Sequence, residues 1–356
     1  MLDALAEWRP VVDEAIEELL PRAIDEAYLA DFFGDPTYDY DDGAIQRALA
    51  DPIWGLLDRG GKRWRAVLFL VLVDAVGEEP EDYLRYAAVP EILHNGTLIV
   101  DDVEDEASKR RGDRALHYEF GTDIALNAGN AMYFIPLKVI ARNRGDLGES
   151  QRLRAYEMLT HEFNRTHLGQ GMDICWHNQQ AVAVSESEYL EMCACKTGCL
   201  ARIVARLAAI VTGQSETVER KFARYAEQLS IAFQIADDVL DVEHTIEEGR
   251  AGDFGKEFGN DIREGKKTLM VIRTATEAPP EDVARLEELL WADDNTDEEI
   301  LEATEIMTEA GAIEYARQRA REVGARAREQ LDGLDLAPGP ERQLREFTEF
   351  VIERNA

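Results

Sequence analysis

Apolar residues recur every three or four positions along nearly the whole chain, and this spacing limits the fold more than any other feature. Leu5, Trp8, Val12, Ile16 and Leu19 are one example. At this spacing they would form one apolar face of an amphipathic helix. The sequence lacks clear alternation of apolar and polar residues with hairpin turns, which would indicate strands. The spacing therefore predicts an all-α protein.

Three segments, 66–76, 123–141 and 199–212, are apolar on most faces, which places them at the centre of a large helical bundle. Turn residues separate the helices at Gly34–Gly43, Gly77–Pro80, Gly145–Gly148, Gly213–Ser215, Glu247–Gly265 and Pro279–Pro280. No internal repeat or low-complexity linker divides the sequence, so we expect residues 1–356 to form a single domain. The amphipathic stretches Glu298–Leu331 and Glu341–Arg354 are expected to form peripheral helices at about 298–354.

The balance of charge excludes some classes of partner. There are 72 acidic and 39 basic residues, which gives a formal net charge of −33. Such a field repels phosphate, so we expect no nucleic acid partner and no anionic membrane partner. Only eight basic residues are lysine, and an acid-rich, lysine-poor chain suggests the salt-rich cytosol of a halophile, where screening shortens repulsion.

The location is expected to be cytoplasmic, without stable insertion into a membrane. The longest uninterrupted apolar run is Ala66–Val73, far below the roughly 20 residues that span a bilayer. The N-terminus does not have the pattern of a signal peptide.

Four cysteines, Cys175, Cys193, Cys195 and Cys199, do not form a disulfide framework, which is consistent with a reducing compartment. The last three are expected to share one helix. Zinc ligation is an alternative, but their spacing fits no common zinc pattern. We favour their interpretation as small buried hydrophobic residues.

Two groups of acids lie among apolar residues. The stretch LIVDDVED (98–105) brings Asp101 and Asp105 directly after three apolar residues, and IAFQIADDVLDV brackets Asp237 and Asp241. Within a helix, residues four apart project from one face with their β-carbons about 5 to 6 Å apart. Each pair would thus hold two carboxylates side by side.

Partly buried carboxylates at that spacing repel each other and require a positive partner. Arginine could supply it, or the acids could be ordinary exposed helix ends. Two opposed sets of oxygen ligands, however, are what a hard divalent ion prefers, and magnesium typically uses one or two carboxylates together with substrate phosphates. The doubled pattern predicts a magnesium site.

Six of the eight lysines lie within two residues of a glycine or directly before Arg110 and Arg111. They are Lys62, Lys109, Lys196, Lys256, Lys266 and Lys267. Compact charges and close backbone approach suit phosphate binding, although ordinary surface ion pairs are the alternative. No stretch fits the P-loop pattern. A helical cavity with two acidic pairs facing each other across magnesium, ringed by Lys and Arg, would hold and ionise a diphosphate ester.

Six stretches of the sequence resemble, in the same order along the chain, the motifs of the trans-isoprenyl diphosphate synthase (polyprenyl synthetase) family. They are GGKRWR at 60–65, HNGTLIVDDVEDEASKRRG around the first acids, GQGMD at 169–173, KTG at 196–198, FQIADDVLD at 233–241 and GKEFGNDIREGKKT, which carries the last lysines. The resemblance implies the class I isoprenoid synthase fold, with helices around a central cavity, and a homodimer. It also implies a prenyltransferase that condenses isopentenyl diphosphate with an allylic diphosphate (dimethylallyl, geranyl or farnesyl). The product would be geranylgeranyl diphosphate or longer, with release of diphosphate.

The resemblance also implies roles for individual residues. Asp101, Asp105 and Asp237 would bind several Mg²⁺ ions, supported by Asp102, Asp238 and Asp241. Arg110, Lys196, Thr197, Gln234, Lys256 and Lys266 would hold the allylic diphosphate, with Lys196 also stabilising the departing charge. Lys62, Arg65, His94 and Arg111 would hold isopentenyl diphosphate, although His94 alone would be an ordinary helix histidine.

Product length in this family depends on side chains one or two turns before the first acidic motif. Here these are Gly96 and Thr97, with Leu93 a turn deeper. Small residues there predict a long product, and Gly96→Phe should shorten it. Three departures from the family pattern are Val100 in place of a histidine, Arg114 in place of a proline, and Pro90, which would kink its helix or mark its start.

Two other functions remain open at this point. A terpene cyclase would share an acidic motif but needs no second diphosphate site, which Lys62, Arg65, His94 and Arg111 would provide. A non-catalytic partner subunit of a prenyl synthase is the other alternative, and the two intact acidic motifs speak against it.

Overall fold

A computed structural model of the chain describes residues 2–143, 145–178, 182–251, 259–292 and 295–352. The described chain is almost entirely helical, which confirms the all-α prediction. The α-helices are α1 (Leu2–Leu19), α2 (Glu26–Phe33), α3 (Asp42–Ile45), α4 (Asp51–Leu57), α5 (Trp64–Ala75), α6 (Leu84–Glu104), α7 (Leu116–Glu119), α8 (Thr122–Arg142), α9 (Glu149–His177), α10 (Glu186–Lys196), α11 (Gly198–Val211), α12 (Glu216–Ala251), α13 (Asn260–Arg263), α14 (Leu269–Glu277), α15 (Pro280–Leu290), α16 (Asp297–Glu309), α17 (Ala312–Glu329) and α18 (Pro338–Ile352). A π-helix (Gln46–Ala50) precedes α4, and a 3₁₀ helix (Pro80–Tyr83) precedes α6.

One short hairpin interrupts the helices. Strands β1 (Lys109–Arg110) and β2 (Asp113–Arg114) pair antiparallel, with Lys109 opposite Arg114 and Arg110 opposite Asp113. Arg111 and Gly112 form the two-residue loop with φ values of 53° and 83°, and positive φ at both positions is what a type I′ turn requires. No sequence pattern predicted this hairpin.

The chain forms two compact units. Unit 1 consists of Met1–His161, Ile203–Arg220 and Asp335–Gln343, and unit 2 consists of Glu162–Arg202, Lys221–Leu334 and Leu344–Ala356. The single domain inferred from the sequence stays a prediction.

In unit 1, α6 packs along α8, and α1 and α5 pack against α6. The predicted bounds of the central apolar helices agree closely with α5, α8 and α11; the side chains of α5 and α11 are mostly buried, whereas fewer than half of those of α8 are. Helix α6 begins at Leu84 and continues through Pro90, so this proline does not mark its start.

In unit 2, α10 packs against α14, α14 against α17, and α15 against α16. The predicted helix over Glu298–Leu331 is wrong as one element: α16 and α17 are separated at Gly311, whose φ of 66° ends the helical run. The predicted break at Glu247 also comes too early, because α12 continues to Ala251.

The expectation that three cysteines share one helix is wrong as well. Cys193 and Cys195 lie on α10, whereas Cys199 lies on α11 beyond the break at Thr197. All three are buried and in the reduced state. Burial raises the pKa of Cys199 to about 12, so this thiol stays protonated at neutral pH.

Among the described residues, one helix is long and apolar enough to cross a membrane. This helix is α8, and half of its apolar window is buried inside the protein. Its contacts with α6 are those of a core helix, so its hydropathy is weak evidence for a membrane span.

Candidate active site

The first acidic motif lies at the C-terminal end of α6. Asp101 is in the last turn, α6 ends at Glu104, and the backbone N–H of Asp105 caps the helix by donating to the Asp101 carbonyl at 2.9 Å. Asp101 is half-buried and Asp105 is exposed. Carboxylates at a helix C-terminus face the negative end of the helix dipole. Their position therefore lowers the stability of the folded chain, and a cation bound to them would offset this loss.

Asp102 faces an arginine of the hairpin. It is 2% exposed, and its Oδ1 accepts hydrogen bonds from Arg110 Nε at 2.7 Å and from Nη2 at 2.5 Å. Burial raises the pKa of Asp102, although the Arg110 guanidinium opposes the shift. Arg110 Nη2 also lies 3.8 Å from Asp101 Oδ2. The alternative that an arginine neutralises these acids thus holds for Asp102.

A cluster of basic side chains lies in the same unit. Arg65 is 7% exposed, and burial, together with the neighbouring Arg111, lowers its pKa to about 10. Burial also lowers the pKa of His94 well below its usual value, helped by Arg65 and Arg111. Arg65 Nε and His94 Nδ1 are buried and have no hydrogen-bond partner within the described ranges. Unpaired buried donors in a positive field favour an anion.

Two buried residues that hold this cluster were missed by the sequence analysis. Glu91 accepts hydrogen bonds from the backbone N–H groups of Arg65 at 3.1 Å and Ala66 at 3.3 Å, which caps the start of α5. Arg63, with a φ of 52°, donates to Asp13 at 2.7 Å. The signal for Glu91 was a single acid inside the apolar run AAVPEIL.

The second acidic motif lies within α12, where Asp237 and Asp241 are four residues apart, as predicted. Between them, Asp238 is buried and accepts hydrogen bonds from the Tyr189 hydroxyl and from Gln234 Nε2, both at 2.9 Å. Burial, followed by the nearby Asp261, raises the pKa of Asp238 to about 7. Tyr189, which the sequence analysis did not select, therefore fixes the orientation of Asp238.

Lys196 and Thr197 lie at the break between α10 and α11. Lys196 Nζ donates to Asp173 Oδ2 at 2.6 Å, and the Thr197 hydroxyl donates to Gln234 Oε1 at 3.4 Å. Gly169 of α9 lies so close that a β-carbon there would be 2.2 Å from the Lys196 backbone nitrogen. The close approach of α9 therefore positions this break.

Lys266 pairs with Asp261 at 2.6 Å and with Glu264 at 2.9 Å. A cavity of about 230 Å³ lies beside them, lined by Asp241, Val242, His244, Thr245, Glu248, Gly259, Asp261 and Ile262. Lys62 is exposed. Lys256 lies outside the described residues, so its role stays a prediction.

The three residues expected to control product length differ in their surroundings. Gly96 faces α8: a β-carbon there would lie 2.7 Å from Met132 Cβ and 3.0 Å from the Gly129 carbonyl oxygen. Leu93 is buried in the core. Thr97 is half-buried, and its hydroxyl donates to the His94 carbonyl. The small size of Gly96 therefore serves the contact between α6 and α8, and its role in product length stays a prediction.

The family model described as polyprenyl synthetase matches residues 46–307, which is more than half of the chain. The chain belongs to the polyprenyl synthetase family. A geranylgeranyl pyrophosphate synthase of Geoglobus acetivorans is 35% identical over 300 residues, covering 84% of this chain and 88% of the relative. A geranylfarnesyl diphosphate synthase of Natronomonas pharaonis is 29% identical over 99% of this chain and 97% of its own length. The crystal structure of a geranylgeranyl pyrophosphate synthetase from Pyrococcus horikoshii has a TM-score of 0.84 at 27% identity and covers 99% of both chains.

In each unit of this polyprenyl synthetase, the acidic motif has carboxylates of the kind that suit magnesium shared with a substrate. Within the described ranges, no three His, Cys, Asp or Glu side chains come together as a complete metal site. Asp101, Asp105, Asp237 and Asp241 offer carboxylate oxygens alone, and magnesium typically takes one or two carboxylates and completes its octahedron with phosphates and water. The carboxylates therefore fit a metal that arrives with a diphosphate.

Proposed function

We propose that this polyprenyl synthetase condenses isopentenyl diphosphate with an allylic diphosphate and releases diphosphate. The observation that carries the proposal is the pair of buried, unpaired donors on Arg65 and His94. They provide an anion site separate in sequence from the lysines of unit 2, and a condensing enzyme needs two diphosphate sites. The names of relatives that make geranylgeranyl and geranylfarnesyl products support a product of geranylgeranyl length or longer.

The proposed metal ligands are Asp101, Asp105 and Asp237, which would hold several Mg²⁺ ions. When bound, magnesium neutralises the charge that builds on the departing diphosphate. Asp102 and Asp238 are held by Arg110 and Tyr189, so we assign them to orienting the acidic motifs. Asp241 is exposed and remains proposed as a supporting ligand.

The allylic diphosphate is proposed to bind Arg110, Lys196, Thr197, Gln234, Lys256 and Lys266. Lys196 and Lys266 each carry a carboxylate partner, Asp173 and Asp261. These acids hold the two ammonium groups in place. A diphosphate with its metal ions would compete with the acids for both lysines.

Isopentenyl diphosphate is proposed to bind Lys62, Arg65, His94 and Arg111. Its double bond attacks the allylic carbon as the bond to the departing diphosphate breaks. The new carbon–carbon bond leaves a cation, which loses a proton to the released diphosphate. The fixed positive groups act through preorganised charge, and no side-chain nucleophile is needed.

An assay of product size tests this function. The purified chain is incubated in molar salt with magnesium, isopentenyl diphosphate and each short allylic diphosphate in turn, and the products are sized. We expect a geranylgeranyl or longer diphosphate, and we expect no product after chelation of the metal. Hydrocarbon release without isopentenyl diphosphate would instead indicate a terpene cyclase. Failure to turn over any combination would indicate a non-catalytic partner subunit.

Thr97→Phe is expected to shorten the product by at least one five-carbon unit, because Thr97 is half-buried one turn before the acidic motif, whereas Gly96 faces Met132. One helical turn corresponds to about 5 Å of tunnel. The measurement is the product distribution with farnesyl diphosphate as primer. Lys138→Met, a substitution on α8 outside the proposed site, is the control. An unchanged distribution in Thr97→Phe would contradict a tunnel beside this residue.

Binding of a diphosphate is expected to be accompanied by proton uptake at His94. The pKa of His94 is lowered by burial and by neighbouring arginines, and an anion beside it favours the imidazolium form. The affinity for inorganic pyrophosphate should therefore rise as the pH falls toward about 6.5, the usual pKa of histidine. Calorimetry in buffers of different ionisation enthalpy measures the uptake.

His94→Asn is the control for that measurement, since pyrophosphate itself also titrates. The difference in proton uptake between the native chain and this variant belongs to His94. In the absence of ligand, the stability of the folded chain depends on pH in the opposite direction. The lowered folded-state pKa means that the unfolded chain binds more protons below about 6.5, so stability falls as the pH drops through that value. Identical uptake in both proteins would contradict a diphosphate site at His94.

We also propose a homodimer in the cytoplasm of a halophile. Phe134 of α8 and Leu153 of α9 are large apolar side chains that are 65% and 58% exposed in unit 1. A second copy of the chain would cover them, and family membership supports this occupant. Sedimentation in molar salt, with Phe134→Glu as the disrupting variant, measures the oligomeric state.

A further inference from the structure

Arg59 lies just after α4, and its side chain donates hydrogen bonds to both strands of the hairpin. Its side chain is 7% exposed. Nη1 donates to the carbonyl of Arg114 at 2.7 Å and to that of Arg110 at 3.4 Å, so one nitrogen bridges both strands. Nε donates to the Gly55 carbonyl at 2.7 Å, and Nη2 donates to Glu119 at 2.9 Å. The guanidinium therefore ties α4, the two strands and α7 together.

The hairpin in turn bonds back to the C-terminal end of α4 and to the segment that follows it. Arg111 Nη1 donates to the Leu56 carbonyl at 3.4 Å and also to the Gly60 carbonyl. Arg59 thus reaches from this segment to the hairpin, and Arg111 reaches from the hairpin to this segment. The reciprocal bonds connect residues 56–60, which lead directly into Lys62, with the loop that carries Arg111.

The hairpin needs such support for two reasons. Arg111 has a φ of 53°, and a left-handed conformation costs a residue with a β-carbon roughly 1–2 kcal/mol. Two-residue strands also supply few ladder bonds. Arg59, which lies outside the hairpin, adds hydrogen bonds to both strands that the hairpin itself does not supply.

We propose that Arg59 is a positioning residue, which holds the Arg110–Arg111 turn in the geometry that binds a diphosphate. This rests on the proposed function, since it takes Arg111 to contact isopentenyl diphosphate. Arg59 itself is directed at backbone carbonyls and Glu119, so it is not assigned a substrate contact. Its effect should appear in substrate affinity through the placement of Arg111.

Two substitutions of Arg59 test this assignment. Arg59→Lys keeps the charge but cannot bridge both strand carbonyls, and Arg59→Met removes every hydrogen bond. Both should raise KM for isopentenyl diphosphate, by about tenfold for Arg59→Met, with kcat changed less than threefold. Hydrogen exchange at Ala115, whose N–H donates to the Ser108 carbonyl at 3.0 Å, should become faster. Arg85→Met, which removes exposed bonds to Asn143 and Asp146, is the matched control and should leave both readouts unchanged.

A rescue experiment separates positioning from general stability. Ala115 bonds Ser108, so the Lys109–Arg114 pair is the non-hydrogen-bonded one. Proline at 114 therefore removes no ladder bond. Arg114→Pro in the Arg59→Met background should restore slow exchange and most of the lost affinity. Tight binding and slow exchange in Arg59→Met alone would overturn the proposal, as would a failure of proline to restore affinity.

Arg111→Met distinguishes this proposal from the function on which it rests. If Arg111→Met leaves KM for isopentenyl diphosphate unchanged, the assignment of Arg111 to that substrate is wrong, whatever Arg59 does to exchange. If Arg111→Met raises KM and both Arg59 variants do not, the positioning role is wrong and the substrate site stands.

Discussion

Replacing Asp101 with asparagine is expected to lower kcat about 10³-fold, because under the proposed function this carboxylate would act on the developing diphosphate charge through magnesium, an interaction worth several kcal/mol in the transition state. The amide has nearly the same shape and removes the negative charge. Stability should change little, since removing the charge at the C-terminal end of α6 is favourable and losing the 3.8 Å contact with Arg110 is unfavourable. Lower activity together with unchanged or higher stability is the signature of a functional acid. The measurement is kcat at saturating magnesium alongside thermal unfolding.

Asp237→Asn, in the other unit, extends this test to shared ions. If both acids act on the same ions, the double variant Asp101→Asn/Asp237→Asn should be little worse than either single variant, because residues that act as one unit are strongly non-additive. Glu104→Gln is the control for charge removal, since Glu104 is exposed at the end of the same helix. If the losses in kcat of the two single variants add fully in the double variant, the proposal that both acids act on the same magnesium ions is wrong.

The helices with continuous apolar faces could be predicted from the sequence because burial alone specifies them. Helices α5, α8 and α11 began and ended within about two residues of expectation. The hairpin could not be predicted in this way, since strands of two residues carry no periodicity. The break at Thr197, which separates Cys199 from Cys193 and Cys195, was missed because α10 and α11 follow each other without a proline.

The candidate site shows the same division. Residue types and spacing selected Asp101, Asp237 and the lysines as candidate site residues, and their roles stay predictions. The partners of Asp102 and Asp238 were not predictable, because Arg110 and Tyr189 meet them through tertiary contacts. Small residues were equally ambiguous: a glycine in a sequence can mark a turn, a tunnel wall or a close helix contact, and only the neighbouring atoms decide among these.

Gly169→Ala is expected to destabilise the protein by about 3 kcal/mol, the upper range for forcing atoms into a packed interior. The new β-carbon would lie 2.2 Å from the Lys196 nitrogen and 2.7 Å from both Cys195 C and Lys196 Cα. These are backbone atoms, so no side-chain rotation relieves the clash. The break that carries Lys196 and Thr197 must shift away from α9, and a displacement of about 1 Å at a substrate-positioning group can lower activity about 100-fold.

Gly171→Ala is the matched control, two residues further along the same helix. Gly171 is exposed, and a β-carbon there would have no heavy atom within 4 Å. Alanine in an exposed helix position should therefore stabilise the chain by about 0.5–1 kcal/mol. Urea unfolding and kcat of both variants provide the comparison. We expect Gly169→Ala to lower both stability and activity, and Gly171→Ala to raise stability and leave activity unchanged. The two glycines share a helix and differ in the atoms that an added β-carbon would meet. Loss of activity in both would instead indicate that α9 needs flexible backbone here, and would remove the close contact with Lys196 as the reason for Gly169.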